Sequence, residues 1–223
     1  VNSQMNILRL ASGAIKSNLA HLQEPFKITF AITYKCNSKC KTCNIWKKNS
    51  KNELETWEIE KIFKKLKTPW INLTGGEPFL RKDLHQIAKI VGENSYILNL
   101  TTNGLMPKKI ERETKKMTKI GIARLIVVVS MDGPENLHDR IRGIQGNWKK
   151  ALKTYTKLRE LSKKTNLQTF LGYTISSHNQ GMIEKTIQEV GKEVGTDFED
   201  FHFNVYHESS LYYGNEKKKK MKK

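Results

Sequence analysis

The run ARLIVVVS, Ala123 to Ser130, constrains the fold more than any other stretch of this chain, because it is apolar and β-branched with almost no polar position along its middle. A continuous run of this kind suits a strand buried on both faces, which is how parallel strands lie beneath crossover helices. Other segments follow the same logic in alternation. FKITFAITY sets Phe26, Ile28, Phe30 and Ile32 on one face against Lys27, Thr29, Ala31 and Thr33 on the other, a period-two strand. WINLT (70–74), SYILNLT (95–101), QTFLGYTIS (168–176) and FHFNVY (201–206) read as further strands.

Between them lie stretches with helical spacing. Ile59, Ile62, Phe63 and Leu66 recur at three and four residues, with Thr56 available as an N-cap. Leu84, Ile87, Ala88 and Val91 mark a second helix, followed by helices over 107–120, 148–162 and 182–194. Six strands alternating with five helices predict parallel α/β architecture through right-handed crossovers. The absence of a switch in the pattern favours a partial (β/α)6 TIM-like barrel over a doubly wound sheet. A chain of 223 residues suits one such domain. The expected division is an N-terminal extension over 1–25, the barrel over 26–210 and a basic tail over 211–223.

In a parallel α/β fold, chemistry collects at the C-terminal strand ends, and the unusual residues of this chain all fall there. TGGEP (74–78) follows the second strand, TTNG (101–104) the third, SMDG (130–133) the fourth, SSHN (176–179) the fifth and YHESS (206–210) the sixth. The first strand is followed by every cysteine in the chain: Cys36, Cys40 and Cys43, spaced C-x3-C-x2-C. An odd number of thiols in one short loop argues against a disulfide framework and for thiolates that share a metal in a reducing compartment. Three thiolates can serve three irons of a [4Fe-4S] cluster and leave the fourth iron without a protein ligand. Zinc, which takes four closed ligands in structural sites, and a purely structural cluster are the alternatives.

The net charge of +18 raises the possibility of a polyanionic partner such as nucleic acid. Part of that excess sits in Lys217 to Lys223, KKKKMKK, which reads as a solvated, self-repelling tail with no aromatic residue for base stacking. No apolar run approaches the length of a membrane span, and no signal peptide is legible, so the expected address is the cytoplasm.

C-x3-C-x2-C after a first strand, with GGEP after the second, resembles the radical S-adenosylmethionine (radical SAM) enzymes over residues 26–207. The resemblance implies the partial (β/α)6 barrel, a [4Fe-4S] cluster on Cys36, Cys40 and Cys43, and S-adenosylmethionine (SAM) chelated to the open iron. It further implies reductive cleavage of SAM to a 5′-deoxyadenosyl radical that abstracts hydrogen from a small-molecule or peptide substrate. A low-potential ferredoxin or flavodoxin is the implied electron donor.

Residue by residue, the resemblance implies that Gly75 and Gly76 let SAM approach and that Glu77 accepts from its methionine amino group. Thr102, Asn103, Ser130 and Asp132 are the implied polar contacts to SAM, and Arg142 is implied to meet a carboxylate. Thr174, Ser176 and Asn179 are expected to border the adenosine, with His138, His178 and His207 as candidates for substrate contact. Family members often carry an aromatic residue before the third cysteine. Here that position is Thr42, so Trp46 or a backbone contact is the expected substitute. GGEP and SMDGPENLHDRIRG look most like the branch of molybdopterin-precursor cyclases and SPASM-type maturases, without the cysteine-rich extension. The chain is therefore read as a truncated product or a minimal core.

Overall fold

The computed structural model describes residues 8, 11–16, 19, 25–66, 68–93 and 95–216. Six strands, β1 (Lys27–Thr33), β2 (Trp70–Gly75), β3 (Ile97–Thr102), β4 (Arg124–Ser130), β5 (Leu167–Ile175) and β6 (Phe201–Val205), form one sheet. All pairings are parallel and the spatial order equals the chain order. A doubly wound sheet would reverse its order at a switch point. This consecutive order is that of a partial (β/α)6 barrel.

The register explains which side chains form the core. Leu98 lies opposite Ile71 and Leu125, and Leu100 opposite Leu73 and Val127. These five leucine and isoleucine side chains, with Val127, are fully buried beneath the helices. The alternate positions face the concave side and are more polar. There Asn99 Nδ2 donates to Asn72 Oδ1 at 2.9 Å. β4 is fully buried on both faces only along Val127–Ser130, since Ile126 is half-buried and Arg124 exposed.

Six α-helices follow β1: α1 (Thr56–Lys65), α2 (Leu84–Gly92), α3 (Pro107–Met117), α4 (Glu135–Arg142), α5 (Asn147–Ser162) and α6 (Ile183–Val194). The inward residues expected on α2, Leu84, Ile87, Ala88 and Val91, are all buried. α4 departs from the expectation of five helices. It starts after Pro134 and stops at Gly143, whose φ of 67° closes the helix in the left-handed region. The sequence signal was present in that proline and glycine.

Thr56 is not the N-cap of α1. The cap is Glu55, whose backbone N–H donates to Glu58 Oε2 at 2.8 Å, while Thr56 Oγ1 donates to Asp83 Oδ2 at 2.5 Å. The expected tail also divides. Residues 211–216 pack against the cysteine loop, as described below, whereas Lys217–Lys223 and most of the 1–25 extension lie outside the described residues. No helix among the described residues is long and apolar enough to cross a membrane.

Candidate active site

The cysteine loop leaves β1 under restraint from residues far away in sequence. Thr33 Oγ1 and Tyr34 N both donate to Glu53 Oε1 at 2.7 Å. Arg81 reaches the same strand end, donating to Ile32 O at 2.7 Å while Asp83 holds the other side of its guanidinium. On the far side of the loop, Lys39 N and Ser38 Oγ donate to Arg142 O, at 3.0 and 2.9 Å, and Lys41 N donates to Ile141 O at 2.8 Å. The C-terminal end of α4 is thus the seat of the loop. A side chain on Gly143 would bring Cβ to 2.4 Å from Lys39 O, so only glycine permits this approach.

All three thiols are half-buried, and each sulfur is offered a donor. Ser38 N lies 3.5 Å from Cys36 Sγ, Ile45 N lies 3.3 Å from Cys43 Sγ, and Arg142 Nη1 lies 3.8 Å from Cys40 Sγ. Burial pushes the Cys36 thiol up to about 11 and raises that of Cys43, against the backbone N–H groups that lower both. Among the described residues no group of three or more His, Cys, Asp and Glu side chains is gathered to hold one metal ion. A zinc ion needs its ligands within about 2.0–2.3 Å of a single centre. The three half-buried sulfurs, each met by a hydrogen-bond donor, are a donor set of the kind that holds an iron-sulfur cluster.

The turn after β2 touches this loop directly. Gly76 N donates to Thr33 O at 2.7 Å and Glu77 N to Lys35 O at 2.8 Å. A Cβ on Gly75, where φ is 141°, would fall 2.1 Å from Thr33 O, and one on Gly76 would fall 2.2 Å from Lys35 O. The atoms that approach these glycines on the Cβ side are those of the chain's own first loop. Gly76→Ala is expected to cost about 1–3 kcal/mol through displaced backbone, read as a lower urea midpoint at unchanged m.

Glu77 is fully buried and its carboxylate turns inward. It accepts from Asn103 N at 2.7 Å, Thr102 Oγ1 at 2.9 Å and Phe79 N at 3.2 Å. Three of the carboxylate's acceptor positions are thus used within the chain. Desolvation pushes the carboxyl up to about 7 from 4.5, although those three donors oppose the shift. The folded state then holds this proton to higher pH than the unfolded chain. The associated stability is full below about pH 4.5 and lost as pH rises through about 7, a difference of roughly 3 kcal/mol. Buried His138, lowered to about 3 by desolvation and by Arg142, has the opposite slope, losing stability as pH falls below about 6.5. The check is therefore the stability difference between parent and Glu77→Gln measured across pH 4–8, which should change by roughly 3 kcal/mol and flatten above pH ~8.

Thr102 and Asn103 join the same network. Asn103 also donates from Nδ2 to Asn37 Oδ1 at 2.8 Å, which ties the β3 end to the cysteine loop, and its carbonyl accepts from Asn147 Nδ2 at 2.9 Å. At the β4 end, Ser130 is 6% exposed and Asp132 2% exposed. Asp132 Oδ2 pairs with Arg142 Nη2 at 2.7 Å, and Oδ1 accepts from Thr174 N at 3.0 Å. Arg142 is thus a largely buried cation, its side chain 13% exposed, between Asp132 and Cys40, and its proton is held more tightly than in water by those partners despite desolvation.

Several of the other expected contact residues have partners within the chain. Asn179 is a loop staple, with Oδ1 accepting from Ser176 N and Oγ and Nδ2 donating to Asp132 O and Thr174 O. Its side chain is buried and fully engaged. His138 is likewise buried, with Nδ1 accepting from Asp132 N at 3.0 Å, so it braces the β4 loop and is not open to substrate. His178 and His207 are exposed. Trp46 donates from Nε1 to Cys43 O at 3.0 Å, which fixes the loop. Glu53, Arg81, Asn37, Asn147 and Tyr212 were missed, because each acts through partners 19 to 138 residues away.

Residues 30–190 match the Radical SAM superfamily model. Among curated proteins, the Fe-coproporphyrin III synthase of Methanosarcina barkeri is 32% identical over 158 residues, 68% of this chain and 37% of that protein. The sporulation killing factor maturation protein SkfB of Bacillus subtilis is 27% identical over 182 residues, 80% of this chain and 41% of that protein. The crystal structure of Streptococcus suis SuiB bound to S-adenosylmethionine superposes with a TM-score of 0.68 at 17% identity, over 97% of this chain and 48% of that one. The chain spans less than half the length of each of these three proteins.

Proposed function

The chain belongs to the radical SAM superfamily, and from that premise we propose that it holds a [4Fe-4S] cluster on Cys36, Cys40 and Cys43 and cleaves SAM reductively. The observation that carries this reading is the loop itself: all three thiols lie at the sheet's C-terminal mouth, each with a hydrogen-bond donor, against the Gly75–Glu77 turn. When bound, the cluster and SAM would supply a 5′-deoxyadenosyl radical able to abstract hydrogen from substrate.

In this proposal the chain's own groups divide the work of holding that chemistry. The backbone of Gly75, Gly76 and Glu77, with Asn103 and Ser130, forms the surface on which SAM seats. Glu77 and Thr102 act through the turn they brace. Asp132 keeps Arg142 oriented, and the guanidinium places a fixed positive charge beside Cys40, where hydrogen bonding to a ligand sulfur tunes a cluster's potential. The resemblance of the chain to an Fe-coproporphyrin III synthase and to a sporulation killing factor maturation protein, with a fold like that of SuiB bound to the precursor peptide SuiA, supports a cofactor precursor or a peptide as substrate. A low-potential ferredoxin or flavodoxin would deliver the electron.

The test is anaerobic reconstitution with iron and sulfide, reduction with dithionite, and quantification of 5′-deoxyadenosine from SAM. Product above a no-protein control is the expected result. A cluster-loaded protein that forms none would leave a cluster-binding remnant and end the catalytic reading.

A further inference from the structure

The segment after β6 returns across the open side of the sheet. Tyr206 N still pairs with Ile175 O at 2.8 Å, as a continuation of β6. Residues 209–215 then form a closed turn: Gly214 N donates to Ser209 O at 2.7 Å, Ser209 N to Asn215 Oδ1 at 2.9 Å, and Tyr212 N to Ser209 Oγ at 3.0 Å. This turn is fastened to the cysteine loop on both sides of Cys43. Asn215 Nδ2 donates to Thr42 O at 2.9 Å, Asn44 N to Tyr213 O at 2.9 Å, and Asn44 Nδ2 to Gly214 O at 2.9 Å. Lys48 Nζ adds a bond to Leu211 O.

Two of its aromatic rings close the arrangement. The Tyr212 hydroxyl lies 3.1 Å from Thr74 Oγ1 and 3.5 Å from Gly75 O, at the turn after β2, and Tyr213 packs between Tyr212 and His207. β1 and β6 are the two edges of the sheet. An open barrel leaves its mouth accessible to water on that side, and reactive chemistry is protected by excluding water. Leu211 remains 88% exposed, so burial of apolar surface by that side chain does not account for the segment's position. Its specific contacts are polar, and they converge on the residues flanking one cysteine.

We propose that Ser209–Asn215 is a strap that fixes the Cys43 corner of the loop and roofs the mouth, with Asn44 and Asn215 as positioning residues and Tyr212 seated on the Thr74–Gly75 turn. The inference rests on the cluster-binding reading above. Asn215 uses its two ends for different tasks, which makes the strap testable. Oδ1 closes the turn on Ser209, and Nδ2 holds the cysteine loop at Thr42 and reaches His207 O at 3.2 Å. Asn215→Asp keeps the acceptor for Ser209 N and loses the donor to Thr42 O and His207 O, while Asn44→Ala removes a clamp bond and leaves the Asn215 contacts in place.

The experiment follows iron release to a chelator, together with the electron paramagnetic resonance spectrum of the reduced cluster, in the full chain. Parent, Asn215→Asp, Asn215→Ala and Asn44→Ala are compared, and each iron-free form is melted. Release roughly fivefold faster in Asn215→Asp and Asn44→Ala, with a changed spectrum and apo-protein melting close to the parent, is the expected result. Parent-like release and spectrum in both variants would overturn the strap and leave the cluster reading standing. A parent chain that takes up no iron and sulfide would remove both.

Discussion

Cys40→Ser is expected to reduce iron retained after reconstitution to background and to abolish 5′-deoxyadenosine formation, while leaving the fold in place. The hydroxyl of serine stays protonated where a thiolate would form, and a hard, neutral oxygen is a poor ligand for an iron-sulfur cluster. The chain has no fourth cysteine to take over. Removing a group that merely supports a ligand costs about 10–100-fold in metal affinity, so removing a ligand should exceed that range. The fold should survive because Cys40 is half-buried in a loop held elsewhere by Arg142 O, Ile141 O and Glu53. Serine can still meet Ser38 Oγ, which lies 3.3 Å from Cys40 Sγ. The measurements are iron and sulfide content, the visible absorbance of a bound cluster, and a thermal melt. Iron retention by Cys40→Ser equal to that of the parent would sink the three-thiol cradle.

The second large effect concerns the buried pair beneath that loop. Arg142→Met is expected to destabilise the protein by about 3–5 kcal/mol, because it leaves the Asp132 carboxylate buried without its counter-charge. In a chain of this size that corresponds to a fall on the order of 10 °C in Tm. The same substitution removes the donor at Cys40 Sγ. Asp132→Asn should also destabilise, since its single amide oxygen can serve Thr174 N or the guanidinium but not both, and its NH2 then faces the other donor. The double variant Asp132→Leu with Arg142→Met should recover part of the stability, as apolar replacement of a whole buried pair often does, but it should not recover cluster behaviour. Denaturant melts of Asp132→Leu, Arg142→Met and the double of these two give the coupling energy. A sum of single effects equal to the double would mean that the pair contributes nothing as a pair.

These predictions depend on a part of the molecule that was only half legible beforehand. The DRIRG stretch stood out as a possible anion site, but its helical setting did not, because eight residues between a proline and a glycine are shorter than the helices the periodicity favoured. That short helix decides where Arg142 goes. A free arginine at the same position in a loop would stay solvated, whereas the C-terminal end of α4 brings it between Asp132 and Cys40. Likewise the Gly-Gly pair was legible as a close approach, and the group approaching on the Cβ side is the backbone of Thr33 and Lys35.

What the sequence by itself determined was the order of elements and the end of the sheet where chemistry gathers. Period-two and helical spacings are local, and hydrophobic burial acts on them wherever the strands finally pair. Strand-end motifs then share a mouth because every crossover in a parallel sheet returns the chain to the same side. What only the tertiary structure decided was the role of each polar side chain at that mouth. Glu77, Asp132, Asn179 and His138 could all have faced a ligand, yet each is buried, and a buried polar group requires partners. Those partners stand 2 to 47 residues away, and the distant ones, 26 to 47 residues off, are what no local pattern records.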